Sequence, residues 1–167
     1  MNGFGRIGKC LFLQMLEIEN ISIRVINTSL DLKSIENYIN HDSNHGRRNY
    51  LVEIIDDKKI KIEDHEITIV NERILGDINW RELGVEYLFE TSGVYLTHDD
   101  LNTHLVDYIL LSSPPKDDTK MFCFGVNHDK YQGERIISTA SCTTNCLCPF
   151  LNFCENYLDG IEEAIYN

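Results

Sequence analysis

The sequence predicts an α/β fold: a mostly parallel sheet carrying a small antiparallel insertion. Three observations carry that reading. Apolar runs of strand period alternate with runs of helical period along most of the chain, three consecutive β-rich runs interrupt them, and a glycine-spaced turn opens the first helix. With 167 residues there is length for one domain with a sizeable core and too little for two well-developed ones.

The elements follow in order. Gly3-Phe4-Gly5-Arg6-Ile7-Gly8 opens a helix whose apolar positions are Ile7, Leu11, Met15 and Ile18, with Asn20 as a turn. Ile21–Ile26 alternates as a strand, Asp31 to Asn40 returns to helical period through Leu32, Ile35 and Ile39, and His41–Gly46 is a polar loop. Leu51–Ile55, Lys59–Glu63 and Ile67–Val70 read as a hairpin meander, separated by Asp56-Asp57-Lys58 and Asp64-His65-Glu66. Tyr87–Thr91 is a strand, and Thr97-His98-Asp99-Asp100 has the outline of a helix cap with acids in the first turn. Tyr108–Ser112 and Phe122–Val126 are strands punctuated by Pro114-Pro115, and Arg135–Ser138 is the last buried run before a helix starting near Cys142. Pro149 inside that helix predicts a kink.

A formal charge of -12 argues against nucleic acid or an anionic membrane as the main partner, because both are bound through a surplus of Lys and Arg. No apolar run approaches membrane-spanning length and the chain reads as cytoplasmic. The six cysteines (Cys10, Cys123, Cys142, Cys146, Cys148 and Cys154) lack the spacing of a disulfide scaffold and read as free thiols. Cys142, Cys146 and Cys148 fit no usual metal-ligand spacing, so no metal is expected. Cys146, Cys148 and Cys154 read as core residues.

Two motifs carry chemistry. In a Gly-x-Gly-x-x-Gly turn the glycines let a strand bend tightly into a helix and let backbone approach a pyrophosphate, whose charge sits on the helix N-terminus. The pattern demands a strand before it and an acid about 20 residues on, to hold the ribose hydroxyls. Only Met1 and Asn2 precede Gly3, and the count from Gly8 lands on Thr28, so dinucleotide binding and a plain glycine-rich turn both stay open on these residues. The second motif, Thr139–Cys146, puts Cys142 at a predicted helix start. There a thiol's pKa falls and backbone N–H groups can stabilise an oxyanion. The six histidines (His41, His45, His65, His98, His104 and His128) fall in loops, turns, caps or a short helix, and none presents itself as a base.

Asn2–Gly8, Asn27, His41–Gly46, Glu90–Val94, Gly125–His128 and Ala140–Cys146 occur in the order and approximate spacing of glyceraldehyde-3-phosphate dehydrogenase, and the sequence resembles the N-terminal half of that family. The resemblance implies a Rossmann-like domain binding NAD or NADP. Gly3, Gly5, Arg6 and Ile7 would hold the pyrophosphate, and Arg73 would border the adenine. Ser92, Gly93 and Tyr95 would line the adenosine side, with Ser112 toward the nicotinamide ribose. Cys142 would be the nucleophile, flanked by Ser141 and Thr143 on the substrate-phosphate side. The implied reaction is addition of a thiolate to the aldehyde of glyceraldehyde 3-phosphate, hydride transfer to the nicotinamide, and phosphorolysis of the thioester.

The sequence also departs from the family. The opening strand, central in the 3-2-1-4-5-6 order, is expected to be missing, which leaves the strand at Ile21–Ile26 with a bare edge. Thr28 replaces the Asp of NAD-preferring members, which predicts tolerance of NADP. Residues 142–167 are expected to form the cysteine helix and the first strand of a truncated catalytic domain, after a cofactor domain at 1–141. The family's catalytic histidine and second-domain phosphate ligands would lie beyond, so the chain alone is expected to lack turnover. The expected partners are glyceraldehyde 3-phosphate and phosphate once the missing half is supplied, with a homo-oligomer as a further expectation. The alternatives are a catalytically dead nucleotide-binding or interaction module, and a thiol redox sensor using Cys142 and Cys146.

Overall fold

The computed structural model describes residues 1–103, 106–158 and 160–165. The helix end expected at His104 lies outside the described residues, as does the end of the last predicted strand. Helix α1 spans Arg6–Met15, β1 Val25–Asn27, α2 Leu32–Asn40, and a minimal hairpin follows in β2 (His41–Asp42) and β3 (Gly46–Arg47). The meander is β4 (Val52–Asp56), β5 (Lys59–Ile62) and β6 (His65–Val70). Then come β7 (Tyr87–Glu90), α3 (His98–Asn102), β8 (Tyr108–Leu111), β9 (Ile136–Ser138) and α4 (Cys142–Tyr157), which continues through Pro149.

Strand pairing gives the order β4-β5-β6-β1 on one side and β7-β8-β9 on the other. Residues 1–3 join the two. Asn2 makes parallel bridges to both Asn27 and Glu90, the Asn27 amide donates to Met1 O at 2.9 Å, and the Asn2 amide donates to Phe89 O at 2.8 Å. The central position expected to be vacant is therefore held by residues 1–3. These residues suffice to align six parallel positions, from β6 through β1, residues 1–3, β7 and β8 to β9, with β5 and β4 antiparallel at one end.

The core lies in two clusters. One packs Phe4, Phe12, Ile26, Ile35, Ile39 and Ile60 under α1 and α2; the other packs Leu75, Trp80, Leu88, Leu101 and Ile109 around β7 and β8. Phe4 meets Phe12 edge-on with ring centroids 5.3 Å apart, a favoured aromatic geometry. The buried face of α1 is Gly8, Phe12, Leu13 and Met15, while Ile7 and Ile18 are exposed, which corrects the expected apolar stripe. That face also buries Lys9, whose ammonium pairs with Asp42, donates to His41 O at 3.3 Å and sits over the Tyr38 ring. The ion pair, with amides of Asn44 and His45, holds the Asp42 carboxyl well below the usual carboxylate range.

Two expected strands are not formed. Phe122–Val126 is a turn, because Gly125 takes φ +80° and the Cys123 amide donates to the Asn127 side chain at 2.7 Å; only Met121 bridges Ser138. Residues 160–165 form no strand either; no described strand runs beside them to supply a ladder.

Candidate functional site

The parallel positions deliver their C-terminal ends to one edge, where open α/β sheets bind ligands. The glycine turn sits there, and its three glycines divide the work. Gly3 has φ +89°, and a Cβ on it would lie 2.7 Å from the Ser92 backbone nitrogen, so only glycine permits this turn. Gly8 lets α1 close on the sheet: a Cβ there would meet Gly3 O at 2.5 Å and Thr91 Oγ1 at 2.8 Å. Gly5, the N-cap of α1, is exposed and has nothing within 4 Å of a built Cβ. A bare N-cap thus opens toward solvent, followed by the exposed residues Arg6 and Ile7, whose amides belong to the unsatisfied first turn. This arrangement fits a pyrophosphate on residues 3–7.

Behind the turn lies a polar network that the sequence reading missed. Asn27 Nδ2 donates to Asn2 Oδ1 at 2.7 Å, and Asn2 Nδ2 donates to Glu90 Oε2 at 2.5 Å. Glu90 Oε1 accepts the Ser92 amide at 2.7 Å and the Ser92 hydroxyl. Glu90 is fully buried, and burial pushes its pKa up against the lowering effect of these donors and the Met1 ammonium. The network fixes Ser92 and Gly93, the latter with φ +73°, against the glycine turn. The only signal in the sequence was that Asn2, Asn27 and Glu90 are polar residues inside strand-like runs.

The other predicted residues fall along the same edge. Thr28 follows β1 and is buried; its amide donates to Val70 O at 2.9 Å and its hydroxyl accepts the Leu30 amide at 3.1 Å. Asp31 caps α2 by accepting the Ser34 amide at 2.9 Å, which occupies it away from the Thr28 position. Tyr95 and Arg73 meet: the Tyr95 hydroxyl donates to Arg73 O at 3.0 Å and accepts the Leu75 amide at 2.9 Å. Ser112 follows β8, its amide bonded to Glu90 O at 3.0 Å. A cavity of about 570 Å³ opens beyond β1 between residues 30–33 and 69–72; Asp31 lines it, whereas Thr28, Arg73, Tyr95 and Ser112 do not.

Cys142 is the first residue of α4 and is exposed. Ser141 is the N-cap, accepting the Thr144 amide at 3.0 Å, and its hydroxyl lies 2.9 Å from the Thr143 hydroxyl. The turn from β9 into α4 passes through Ala140, which is buried at φ +62°, a left-handed conformation unfavourable for a residue bearing a Cβ. Two bonds hold it: the Ala140 amide donates to Ser138 Oγ at 2.9 Å, and Asn145 Nδ2 donates to Thr139 O at 2.6 Å. Of the cysteines expected in the core, Cys154 is buried, Cys148 is half-buried and Cys146, one turn along α4 from Cys142, is exposed, which corrects that expectation for Cys146. Cys123 is buried and its thiol is pushed up by desolvation and by Cys148. No hydrogen bond joins a histidine to Cys142 among the described residues. His65 accepts the Ile23 amide, His128 the Gly125 amide, and His45 sits 3.1 Å from Asp42.

A glycine-turned helix at the carboxyl edge of a parallel sheet, with a thiol at the start of a second helix on the same edge, defines a dinucleotide-binding α/β domain of the Rossmann type. The chain belongs to the glyceraldehyde 3-phosphate dehydrogenase family, whose NAD binding domain model matches residues 1–98. It is 40% identical to the cytosolic glyceraldehyde-3-phosphate dehydrogenase of Leishmania mexicana over 169 residues, covering 99% of this chain and 50% of that protein. It is 39% identical to the glyceraldehyde-3-phosphate dehydrogenase of Salmonella typhimurium and 38% identical to glyceraldehyde-3-phosphate dehydrogenase A of Escherichia coli, each over 97% of this chain and 50% of the relative. The chain spans about half the length of the curated relatives it matches. No helix among the described residues is long and apolar enough to cross a membrane.

Proposed function

We propose that the chain is the cofactor-binding half of a cytosolic glyceraldehyde-3-phosphate dehydrogenase, binding NAD or NADP along the sheet edge and presenting Cys142 as the nucleophile toward an aldehyde. The observation that carries the reading is the division of labour among Gly3, Gly5 and Gly8: two are packed where no Cβ fits, and the one between them is open at a helix N-terminus. Gly3, Gly5, Arg6 and Ile7 take the pyrophosphate; Arg73, Ser92, Gly93 and Tyr95 take the adenosine side; Ser112 takes the nicotinamide ribose. The cofactor, when bound, supplies a hydride acceptor.

What this chain contributes is position. The α4 N-terminus offers amides to an oxyanion beside the Cys142 sulfur, and the Ser141 and Thr143 hydroxyls are to face the substrate phosphate. A general base for the hemithioacetal proton is to come from a second half, and the chain alone is expected to show no turnover. Support for a docked second half is that α4 buries only Cys154 among its described side chains and exposes Phe150, Phe153 and Tyr157. Thr28 in place of a carboxylate leaves nothing to repel a 2′-phosphate, so NADP is tolerated.

The test is calorimetric titration of the 167-residue chain with NAD+ and NADP+, followed by iodoacetamide labelling with and without cofactor. Binding of both with comparable affinity, and labelling of the exposed thiols Cys142 and Cys146 in which cofactor alters the rate at Cys142, is the expected result. A folded chain that binds neither is the result that overturns the reading. A reversible disulfide between Cys142 and Cys146 on mild oxidation, without nucleotide binding, would favour the redox reading instead.

A further inference from the structure

Lys9 and Cys10 are neighbours on α1, and they meet the same hairpin turn in different ways. Lys9 is buried and pairs with Asp42 Oδ2, while Asp42 Oδ1 accepts the amides of Asn44 and His45 at 2.9 Å each. The turn between β2 and β3 is thereby fixed against α1, and the His45 ring rests with Nδ1 4.0 Å from Cys10 Sγ, within reach of a sulfur hydrogen bond. The same Nδ1 lies 3.1 Å from Asp42 Oδ1. Among the described residues Cys10 is the one cysteine whose sulfur meets a histidine nitrogen. Cys10 is half-buried and the His45 side chain is 56% exposed, so the pair is open to a small reagent. Its surroundings are cationic in a chain of net charge -12. Arg6 lies one turn before Cys10 on the same face of α1, Arg47 and Arg48 follow the turn, and neither α1 nor residues 43–50 contain an acid.

We propose that Cys10 is a thiol–disulfide exchange site for small anionic disulfides, with His45 as its base. Two groups contend for His45 Nδ1, the thiol as a donor and Asp42 as an acceptor. With its proton on Nε2 the neutral ring accepts from the thiol; once protonated at Nδ1 as well, it donates to the Asp42 carboxylate. As Cys10 Sγ attacks one sulfur of the disulfide, its proton passes to Nδ1 and a new S–S bond forms to Cys10. The old S–S bond breaks, and the departing thiolate takes the proton back from the imidazolium and leaves as a thiol. One thiol and one disulfide enter and one of each results, so no further oxidant is consumed. The preference for an anionic reagent follows from Arg6 and Arg47, with Asp42 already engaged by Lys9. Arg6 alone is shared with the proposed cofactor positions, and the exchange is measured without cofactor, so the two readings fail separately.

The experiment treats the folded 167-residue chain with oxidised glutathione, an anionic disulfide, and separately with cystamine, a dicationic one. Initial rates at each cysteine are read by mass spectrometry of acid-quenched peptides, with the exposed Cys142 and Cys146 as internal controls. Cys10 is expected to form the mixed disulfide in the folded chain and, relative to Cys146, to favour glutathione over cystamine severalfold. His45→Gln leaves the backbone amides on Asp42 in place, and should slow Cys10 about tenfold or more while the rates at Cys142 and Cys146 stay unchanged. An unchanged Cys10 rate in that variant overturns the proposal, as does a slowing shared by all three thiols. A Cys10 that reacts only in urea, or that shows no preference for the anionic reagent, overturns it as well.

Discussion

Replacing two glycines of the same turn by alanine should produce opposite failures. At Gly8 the new methyl carbon would lie 2.5 Å from Gly3 O and 2.8 Å from Thr91 Oγ1, and neither atom can retreat. Gly3 is pinned between Asn27 and Ser92, and Thr91 Oγ1 donates to Gly3 O at 2.7 Å. Helix propensity favours alanine by about 1 kcal/mol, but forcing a methyl into packed backbone costs roughly 1–3 kcal/mol, and displacing the Thr91 hydrogen bond costs about 1 kcal/mol more. A net loss of about 2 kcal/mol, seen as a fall of roughly 4–8 °C in Tm, is expected for Gly8→Ala. At Gly5 no atom lies within 4 Å of the added carbon, and an N-cap glycine is worth less than about 1 kcal/mol over alanine. Gly5→Ala should therefore fold and melt within about 2–4 °C of the parent while losing nucleotide affinity by tenfold or more, because the methyl stands where a pyrophosphate must approach backbone. Thermal denaturation by circular dichroism and calorimetric titration with NAD+ measure both. A Gly8→Ala chain as stable as the parent, or a folded Gly5→Ala chain with undiminished affinity, refutes the reasoning.

Thr28→Asp should restore a carboxylate at the end of β1 and weaken NADP+ binding about tenfold while leaving NAD+ binding equal or better; calorimetry with the two cofactors decides. Ser141→Ala removes the α4 cap and should lower stability by about 1 kcal/mol in urea denaturation, and an unchanged midpoint would show that the cap is not used. The pH dependence follows from two buried groups with opposite signs. Burial holds the Met1 amine at about 5 instead of 8.0, so across that window the unfolded chain carries a proton the native chain lacks, and stability rises with pH by up to ~4 kcal/mol. Burial raises Glu90 above the ordinary glutamate range, so its contribution falls as pH rises from there. Glu90→Gln should therefore steepen the rise between pH 5 and 8, and a flat or falling profile in that variant would contradict the assignment.

Most elements were legible because their physics is local. Asp31 and Thr97 announce the caps of α2 and α3, and the meander is written in β-branched runs broken by acidic turns. The false strand at Phe122–Val126 shows where local pattern fails: its apolar residues suit a strand, but a left-handed glycine and one amide-to-side-chain bond decide for a turn. The face of α1 was misread for a tertiary reason. Gly8 must pack on Gly3, and that contact rotates Phe12 and Met15 inward and Ile7 outward. The proposed site residues come from resemblance alone, whereas the Asn2, Asn27 and Glu90 network joins positions up to 88 apart and leaves no periodic trace.

Residues 1–3 explain why that network matters. Among the described residues no strand of the β4-β5-β6-β1 group pairs directly with one of the β7-β8-β9 group; their pairing runs through Asn2. The glycine turn and Thr28 hang on one group, Ser92, Ser112 and Cys142 on the other. Any ligand spanning the edge must bridge both, so its affinity depends on how rigidly three residues hold them in register. Asn2 does this with its backbone, through amide and carbonyl bonds of 2.8 Å each to β7 and the residue after it, and with its side chain, which couples Asn27 on one wall to Glu90 on the other. Burying Glu90 and the Met1 amine is costly in isolation, and their mutual attraction offsets part of that penalty at the seam where the two half-sheets meet.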